Sequence, residues 1–157
     1  MKSLLSSACV LIAISLTCRA QGSQPPVTQA QLQYFRYMLM NLGSVDHSQD
    51  SISSFEASLV PAFGLNSQEA ATIHSAGQTL NVLLVQIRQS SQAITSGKAA
   101  LSASDLSALS ALAAQREAEI VTLANQIVNA VRPQTAAQLE MAGTIVANAL
   151  TAAQGGK

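Results

Sequence analysis

Residues 66–131 read NSQEAATIHSAGQTLNVLLVQIRQSSQAITSGKAALSASDLSALSALAAQREAEIVTLANQIVNAV. Apolar residues recur every seven positions in both halves of this stretch: Ile73, Leu80, Ile87 and Ile94, then Leu106, Ala113, Ile120 and Ile127. Such a heptad is typical of the contact stripe between coiled helices. A turn near Ala100 then predicts an antiparallel hairpin in four layers, with Ile73 facing Ile127 at one end and Ile94 facing Leu106 at the other. Each helix would be roughly 40 Å long, too thin to cover its own apolar stripe.

Capping signals divide the rest of the chain into helices. Five segments begin with a capping residue followed three positions later by an acid or amide: Thr28 with Gln31, Ser53 with Glu56, Asn66 with Glu69, Ser102 with Asp105, and Thr135 with Gln138. Glycine or proline follows each segment and ends it. The sequence therefore predicts helices at about 28–42, 53–60, 66–96, 102–131 and 135–153, with no strand.

The segments outside the hairpin supply its cover. The first predicted helix places Leu32, Phe35 and Leu39 on one stripe, and every aromatic residue of the protein lies between Tyr34 and Phe63. Aromatic rings bury the largest apolar area per residue. We expect an all-α fold in which a long antiparallel helical hairpin is covered by an aromatic N-terminal helix, a short helix and a C-terminal helix. Residues 28–154 would form this single domain.

The first twenty residues have the features of a secretory signal peptide. Lys2 supplies the positive charge, Leu4 to Leu16 the apolar core, and Cys18-Arg19-Ala20 the cleavage site before Gln21. The apolar core is shorter than a membrane span requires. We therefore expect export to the periplasm or the extracellular space with cleavage after Ala20, leaving residues 21–27 as a flexible leader. Lipid attachment at Cys18 is the alternative.

Export also sets the charge and the cysteine content of the mature chain. Both cysteines, Cys9 and Cys18, lie in the predicted signal, so no disulfide would form after cleavage. Losing Lys2 and Arg19 leaves a net charge of about −2, with no basic face for nucleic acid. The mature chain has no apolar run long enough to span a membrane.

One loop contains the residue types of a metal site. Asp46, His47 and Asp50 place two carboxylates and one imidazole within five residues. Zinc and similar ions take three or four protein ligands, and no neighbouring residue completes this set. We interpret the loop as a solvated turn, with these three residues as the metal-site alternative. The other histidine, His74, is interpreted as a residue of the helix surface.

Catalytic motifs and cofactor fingerprints are absent from the sequence. It has no Gly-x-Ser-x-Gly elbow, no phosphate loop and no dinucleotide-binding glycine pattern, so we expect neither an enzyme nor a cofactor. Arg116 interrupts the apolar stripe, and we interpret it as fixing the register of the hairpin. The residues that could meet a partner are the aromatic and methionine side chains of the first helix: Tyr34, Tyr37, Met38 and Met40.

Two short segments carry a family resemblance. Val27-Thr28-Gln29-Ala30-Gln31 and Gln134-Thr135-Ala136-Ala137-Gln138 resemble the Leu-Thr-x-x-Gln motif of the periplasmic LTxxQ family. The resemblance implies a small exported all-helical protein, acting as a stress chaperone or in heavy-metal stress. Neither copy begins with Leu, and the basic concave surface and the metal-binding histidines of that family have no counterpart here.

A second resemblance covers about residues 31–150. Tyr34-Phe35-Arg36, Gly64-Leu65 followed by Glu69-Ala70, and Arg116-Glu117 to Ile120 are similar to patterns in uncharacterised exported helical proteins of soil-type bacteria. This resemblance implies the fold and export, and no known activity. We therefore expect an exported, non-enzymatic helical protein that acts on another protein or on itself, with a homodimer as one form. An LTxxQ-like chaperone or metal-stress protein is the alternative.

Overall fold

In the computed structural model, which describes residues 27–155, the chain is all-helical. Five helices follow one another: α1 (Gln29–Leu42), α2 (Gln49–Phe63), α3 (Ser67–Thr95), α4 (Ala103–Ala130) and α5 (Pro133–Gly155). No strand occurs within this described range. The predicted fold class is confirmed. The predicted signal peptide, its Cys18 alternative and residues 21–26 of the predicted leader lie outside the described residues.

Three of the five predicted capping boxes form. The Thr28, Asn66 and Ser102 side chains each accept a hydrogen bond from the backbone N–H three residues on. In return, the side chains of Gln31, Glu69 and Asp105 accept from the backbone N–H of the capping residue. These boxes fix the starts of α1, α3 and α4.

The predictions for α2 and α5 need correction. α2 begins at Gln49, four residues earlier than predicted, because the Ser48 hydroxyl and not Ser53 caps it. It runs through Pro61 to Phe63, where Gly64 at φ 56° provides the left-handed cap. α5 begins at Pro133, since proline lacks only an N–H that the first turn of a helix leaves unpaired.

Helix α1 lies at the centre of the structure and contacts all four other helices. Its side chains Phe35, Met38 and Leu39 are completely buried. The N-terminal helix is thus more than a lid on the hairpin, because α2 and α5 in turn cover it. One apolar cluster contains residues of all five helices.

Helices α3 and α4 form the predicted hairpin, and two of its four predicted layers lie in the core. Ile73, Leu80, Ile120 and Ile127 are each at most 1 % exposed. The two layers nearer the turn are different, since Ile87 and Ile94 are only half-buried and Ala113 is exposed. Leu106 is 56 % exposed, so its predicted place in the core is wrong. In this part of α4 the half-buried apolar positions are Leu109 and Leu112.

The half of the hairpin nearest the turn, residues 85–119, is called the arm below. None of its residues is buried. The core helices cover the hairpin only up to Leu84 on α3 and from Ile120 on α4. Beyond these points two helices alone can cover only the narrow stripe between them, which explains why the outer heptad positions remain exposed.

Candidate functional site

The most buried charge in residues 27–155 is the carboxylate of Glu69 in the first turn of α3. Its side chain is 2 % exposed and accepts five hydrogen bonds. Arg132 donates three of them, from its backbone N–H (2.8 Å), from Nε (3.0 Å) and from Nη2 (2.9 Å). Thr135 Oγ1 (2.9 Å) and the Asn66 backbone N–H (2.9 Å) complete the set. Glu69 thus joins the start of α3 to the junction between α4 and α5.

This carboxylate is a structural group. Hydrogen bonds from the Arg132 side chain lower the pKa of Glu69 to about 2 against the opposing effect of burial, so the carboxylate is ionised at neutral pH. Arg132 Nη2 also donates to the Gly64 carbonyl oxygen at 2.7 Å, which anchors the α2–α3 turn. With five donors around it, the carboxylate has little capacity left for a ligand.

A second carboxylate joins α1 to α4. Arg36 donates from Nε (2.9 Å) and Nη2 (2.6 Å) to Glu117, whose other oxygen accepts from Arg116. Burial would raise the pKa of Glu117, but the two arginines more than offset it and hold that pKa below its usual value. Arg116 therefore pairs with its own neighbour on α4, and the N-terminal helix contributes an arginine to this cluster.

The third carboxylate, Glu56 on α2, faces a cleft against α3. His74 Nδ1 lies 2.9 Å from Glu56 Oε2, and His74 Nε2 lies 2.8 Å from the Gln78 amide nitrogen. The cleft has a volume of about 380 Å³. Its lining combines polar and apolar side chains: Leu42, Gln49, Ile52, Glu56, His74, Gln78, Asn81 and Val82.

The residues predicted as a metal-site alternative do not converge. Asp46, His47 and Asp50 are all exposed, and the Asp46 carboxylate pairs with Arg88 of α3. Asp50 lies in the first turn of α2. Across residues 27–155 no group of three or more His, Cys, Asp or Glu side chains is placed to hold a metal ion.

The predicted interaction face on α1 is divided by the fold. Met38 is completely buried and Tyr34 is 8 % exposed, so these two residues belong to the core and their assignment to a surface is wrong. Burial raises the pKa of Tyr34 to about 12. Met40 packs partly buried against the core. Tyr37 alone is open, 53 % exposed, with its ring 5.9 Å from that of Phe55 on α2.

The arm offers a different kind of surface. Its exposed apolar side chains include Val85, Leu101 and Leu106. Its three cations are all paired, Arg88 with Asp46, Lys98 with Asp105 and Arg116 with Glu117. Between these pairs the outer surface is made of Ser, Thr, Gln and Ala side chains, which carry no charge. A surface of this composition can pack against another helix without an unpaired charge at the contact.

Sequence reasoning missed the clusters at Glu69 and Glu56. Both glutamates were assigned only to capping boxes. A signal for the second cluster exists, because Glu56 and His74 lie at similar distances on either side of Gly64. An antiparallel turn at Gly64 therefore brings them together. The Glu69–Arg132 contact spans the whole hairpin, and no local pattern indicates it.

Comparisons with protein families, with curated proteins and with solved structures gave no match to this chain. Within residues 27–155, no helix combines the length and apolarity needed to cross a membrane.

Proposed function

We propose that this chain is an exported helical protein without catalytic activity, which acts by binding another protein or a second copy of itself. The observation that carries the proposal is the arm: residues 85–119 extend the hairpin past the core, and none of them is buried. On α4 the arm continues for roughly 25 Å at 1.5 Å per residue. A projecting pair of helices with a half-covered apolar stripe is the form in which helical proteins offer a surface to further helices.

Charge and composition support the same function. The ion pairs Arg88–Asp46 and Lys98–Asp105 lie within or beside the arm and satisfy the charges of its first half and its turn. Half-buried Ile87, Ile94 and Leu109 remain along the stripe. A partner helix would complete their burial and gain about 25 cal/mol for each Å² of apolar surface removed from water.

Export is the second part of the proposal, and it rests on the sequence of residues 1–20. The test is N-terminal sequencing of the protein recovered from outside the cytoplasm of a bacterial host. A mature chain that begins at Gln21 supports cleavage by a signal peptidase. A lipid-modified chain beginning at Cys18 would support the lipoprotein alternative, and retention of Met1 in the cytoplasm would contradict export.

The test of the interaction is a pair of charge substitutions at two exposed apolar positions. Leu106→Glu changes the arm, and Met141→Glu changes α5, where the side chain is 65 % exposed. Mass in solution is measured by light scattering after size exclusion, and partners are identified by affinity capture from the exported fraction. We expect Leu106→Glu to abolish the association and Met141→Glu to leave it unchanged. A protein that is monomeric and captures nothing through the arm would contradict the proposal.

A chaperone like those of the LTxxQ family is the second candidate, and one observation favours it. Tyr37 is 53 % exposed beside the partly buried ring of Phe55, which makes a small aromatic patch between α1 and α2. Exposed aromatic patches can hold apolar segments of unfolded chains. Suppression of client aggregation that is lost in Tyr37→Ser, and retained in Leu106→Glu, would favour this candidate over the first.

A further inference from the structure

We infer that the cleft between α2 and α3 binds a small organic cation, an amine with a short apolar body. This inference is independent of the arm and of the function proposed for it. It starts from a comparison of two glutamate carboxylates, one buried and accepting five hydrogen bonds, the other partly exposed and accepting from a single protein group.

The two carboxylates are Glu69 and Glu56. Glu69 accepts from five donors and is closed to further ligands. The Glu56 side chain is only 26 % exposed, yet within residues 27–155 the sole donor to its carboxylate is His74 Nδ1. His74 Nδ1 lies 2.9 Å from Oε2 and 2.8 Å from Oε1 of Glu56. An ionised carboxylate has about four acceptor positions, so Glu56, which lines the cleft, can also accept from a bound donor.

The Glu56 carboxylate is oriented by His74, which lines the same cleft. His74 contacts Glu56 through Nδ1 and Gln78 through Nε2, so both ring nitrogens are engaged and the ring is held between the two side chains. A carboxylate that is held in this way presents its remaining lone pairs in a set direction. Such pre-arrangement reduces the entropy lost on binding.

The charge around the cleft selects a cation. Among the residues that line it, Glu56 is the only carboxylate, and no lysine or arginine is present. Arg88, which lies farther along α3, is paired with Asp46. An ammonium group can donate to the acceptor positions of Glu56 that no protein donor occupies, whereas a carboxylate or phosphate would be repelled by the Glu56 carboxylate.

The apolar part of the cleft wall determines the rest of the ligand. Leu42, Ile52 and Val82 line the cleft, and Val82 is 59 % exposed. The volume of about 380 Å³ lies near the lower end of the range for small-molecule sites. A short alkyl chain attached to an ammonium group would contact this wall while its head reaches Glu56.

The test is a titration of the isotope-labelled full chain with hexylammonium chloride, followed by amide chemical shifts at constant ionic strength. Hexan-1-ol, which has the same chain without the charge, is titrated in parallel, and so is zinc chloride. We expect hexylammonium to shift the amides around Glu56, His74 and Val82, and to bind about tenfold more tightly than hexan-1-ol.

Three variants decide the outcome. Glu56→Gln keeps the size of the side chain and should weaken hexylammonium binding about tenfold. Val82→Ala, at an exposed position that the fold does not need, should weaken it about threefold. Asp50→Asn removes an exposed carboxylate of the same helix that does not line the cleft, and should change nothing.

Several results would overturn the inference. Equal binding of hexan-1-ol and hexylammonium would show an apolar cleft without charge selection, and equal binding by Glu56→Gln would remove the carboxylate from the site. Shifts with zinc but none with hexylammonium would assign the cleft to a metal. Because Leu106 and the arm do not line the cleft, the Leu106→Glu variant should bind hexylammonium normally, so the two proposals can fail separately.

Discussion

Arg132 holds Glu69 with three hydrogen bonds, one from its backbone N–H and two from its guanidinium, across 63 positions of sequence. The contact closes the hairpin at the end opposite its turn. It also places α5, because the next donor to the same carboxylate is Thr135 in the first turn of that helix. The Glu69 side chain therefore fixes the relative positions of α3, α4 and α5.

Replacing this carboxylate tests its structural role. Glu69→Gln should reduce the free energy of unfolding by about 2–4 kcal/mol at pH 7, because the amide accepts fewer bonds and its NH₂ group meets donors in a buried place. Chemical denaturation monitored by circular dichroism measures the loss. Glu119→Gln, a change of the same kind at a half-exposed position on α4, is the matched control and should lie within about 0.5 kcal/mol of the wild type. A loss below about 0.5 kcal/mol for Glu69→Gln would contradict the role given to this residue.

The same group makes stability depend on pH in a defined window. The pKa of Glu69 is about 2 in the folded chain against an ordinary value of 4.5, so the folded state binds the proton less readily than the unfolded state. Its contribution is therefore complete above about pH 4.5 and is lost as the pH falls toward 2. Unfolding free energies of the wild type and Glu69→Gln should converge over this window.

The Lys98 side chain also lowers the pKa of Asp105 to about 2, but that effect is common to both proteins and cancels in the difference. A constant difference between them from pH 6 to pH 2 would contradict the assignment.

A close approach between α1 and α3 gives a third prediction. A Cβ atom built on Gly77 would lie 2.6 Å from the Cβ of Leu42, far inside van der Waals contact. Gly77→Ala should therefore destabilise the protein by about 1–3 kcal/mol, although alanine favours a helix over glycine by up to about 1 kcal/mol. Ser75→Ala on the exposed side of α3 is the control, and it should be neutral or slightly stabilising. Thermal unfolding compares the two, and a stabilised Gly77→Ala would show that α1 is not packed against this part of α3.

The sequence predicted the parts of the fold that local patterns determine. Capping boxes at Thr28, Asn66 and Ser102 placed three helix starts, and the heptads predicted the hairpin, although only two of its four predicted layers lie in the core. The start of α2 was missed because Ser48 and Ser53 are both acceptable caps, and only packing distinguishes them. Met38 was assigned to a surface because an apolar stripe on α1 does not reveal how many helices will cover it.

The candidate sites depended on contacts that the sequence does not display. Glu56 and His74 meet because Gly64 turns the chain between them, and Glu69 meets Arg132 only after the whole hairpin has closed. In both cases the same carboxylates also fit a capping box, which is a sufficient local explanation. Long-range pairing of charges has no periodicity, and so pattern analysis cannot detect it.

The difference between the core half and the arm half of the hairpin gives the last prediction. Leu80 is completely buried, so Leu80→Ala should lower the free energy of unfolding by about 2–5 kcal/mol. Ile94 occupies the same heptad position in the arm but is half-buried, and Ile94→Ala should cost about 1 kcal/mol in the isolated chain. Gln86→Ala, at an exposed position, should have little effect. Chemical denaturation gives the three values at low protein concentration.

If the arm binds a second copy, the cost of Ile94→Ala should rise with protein concentration while that of Gln86→Ala stays small, because association adds stability only where the partner helix completes the burial. Equal costs for Leu80→Ala and Ile94→Ala at every dilution would mean that the hairpin is covered along its whole length and has no arm.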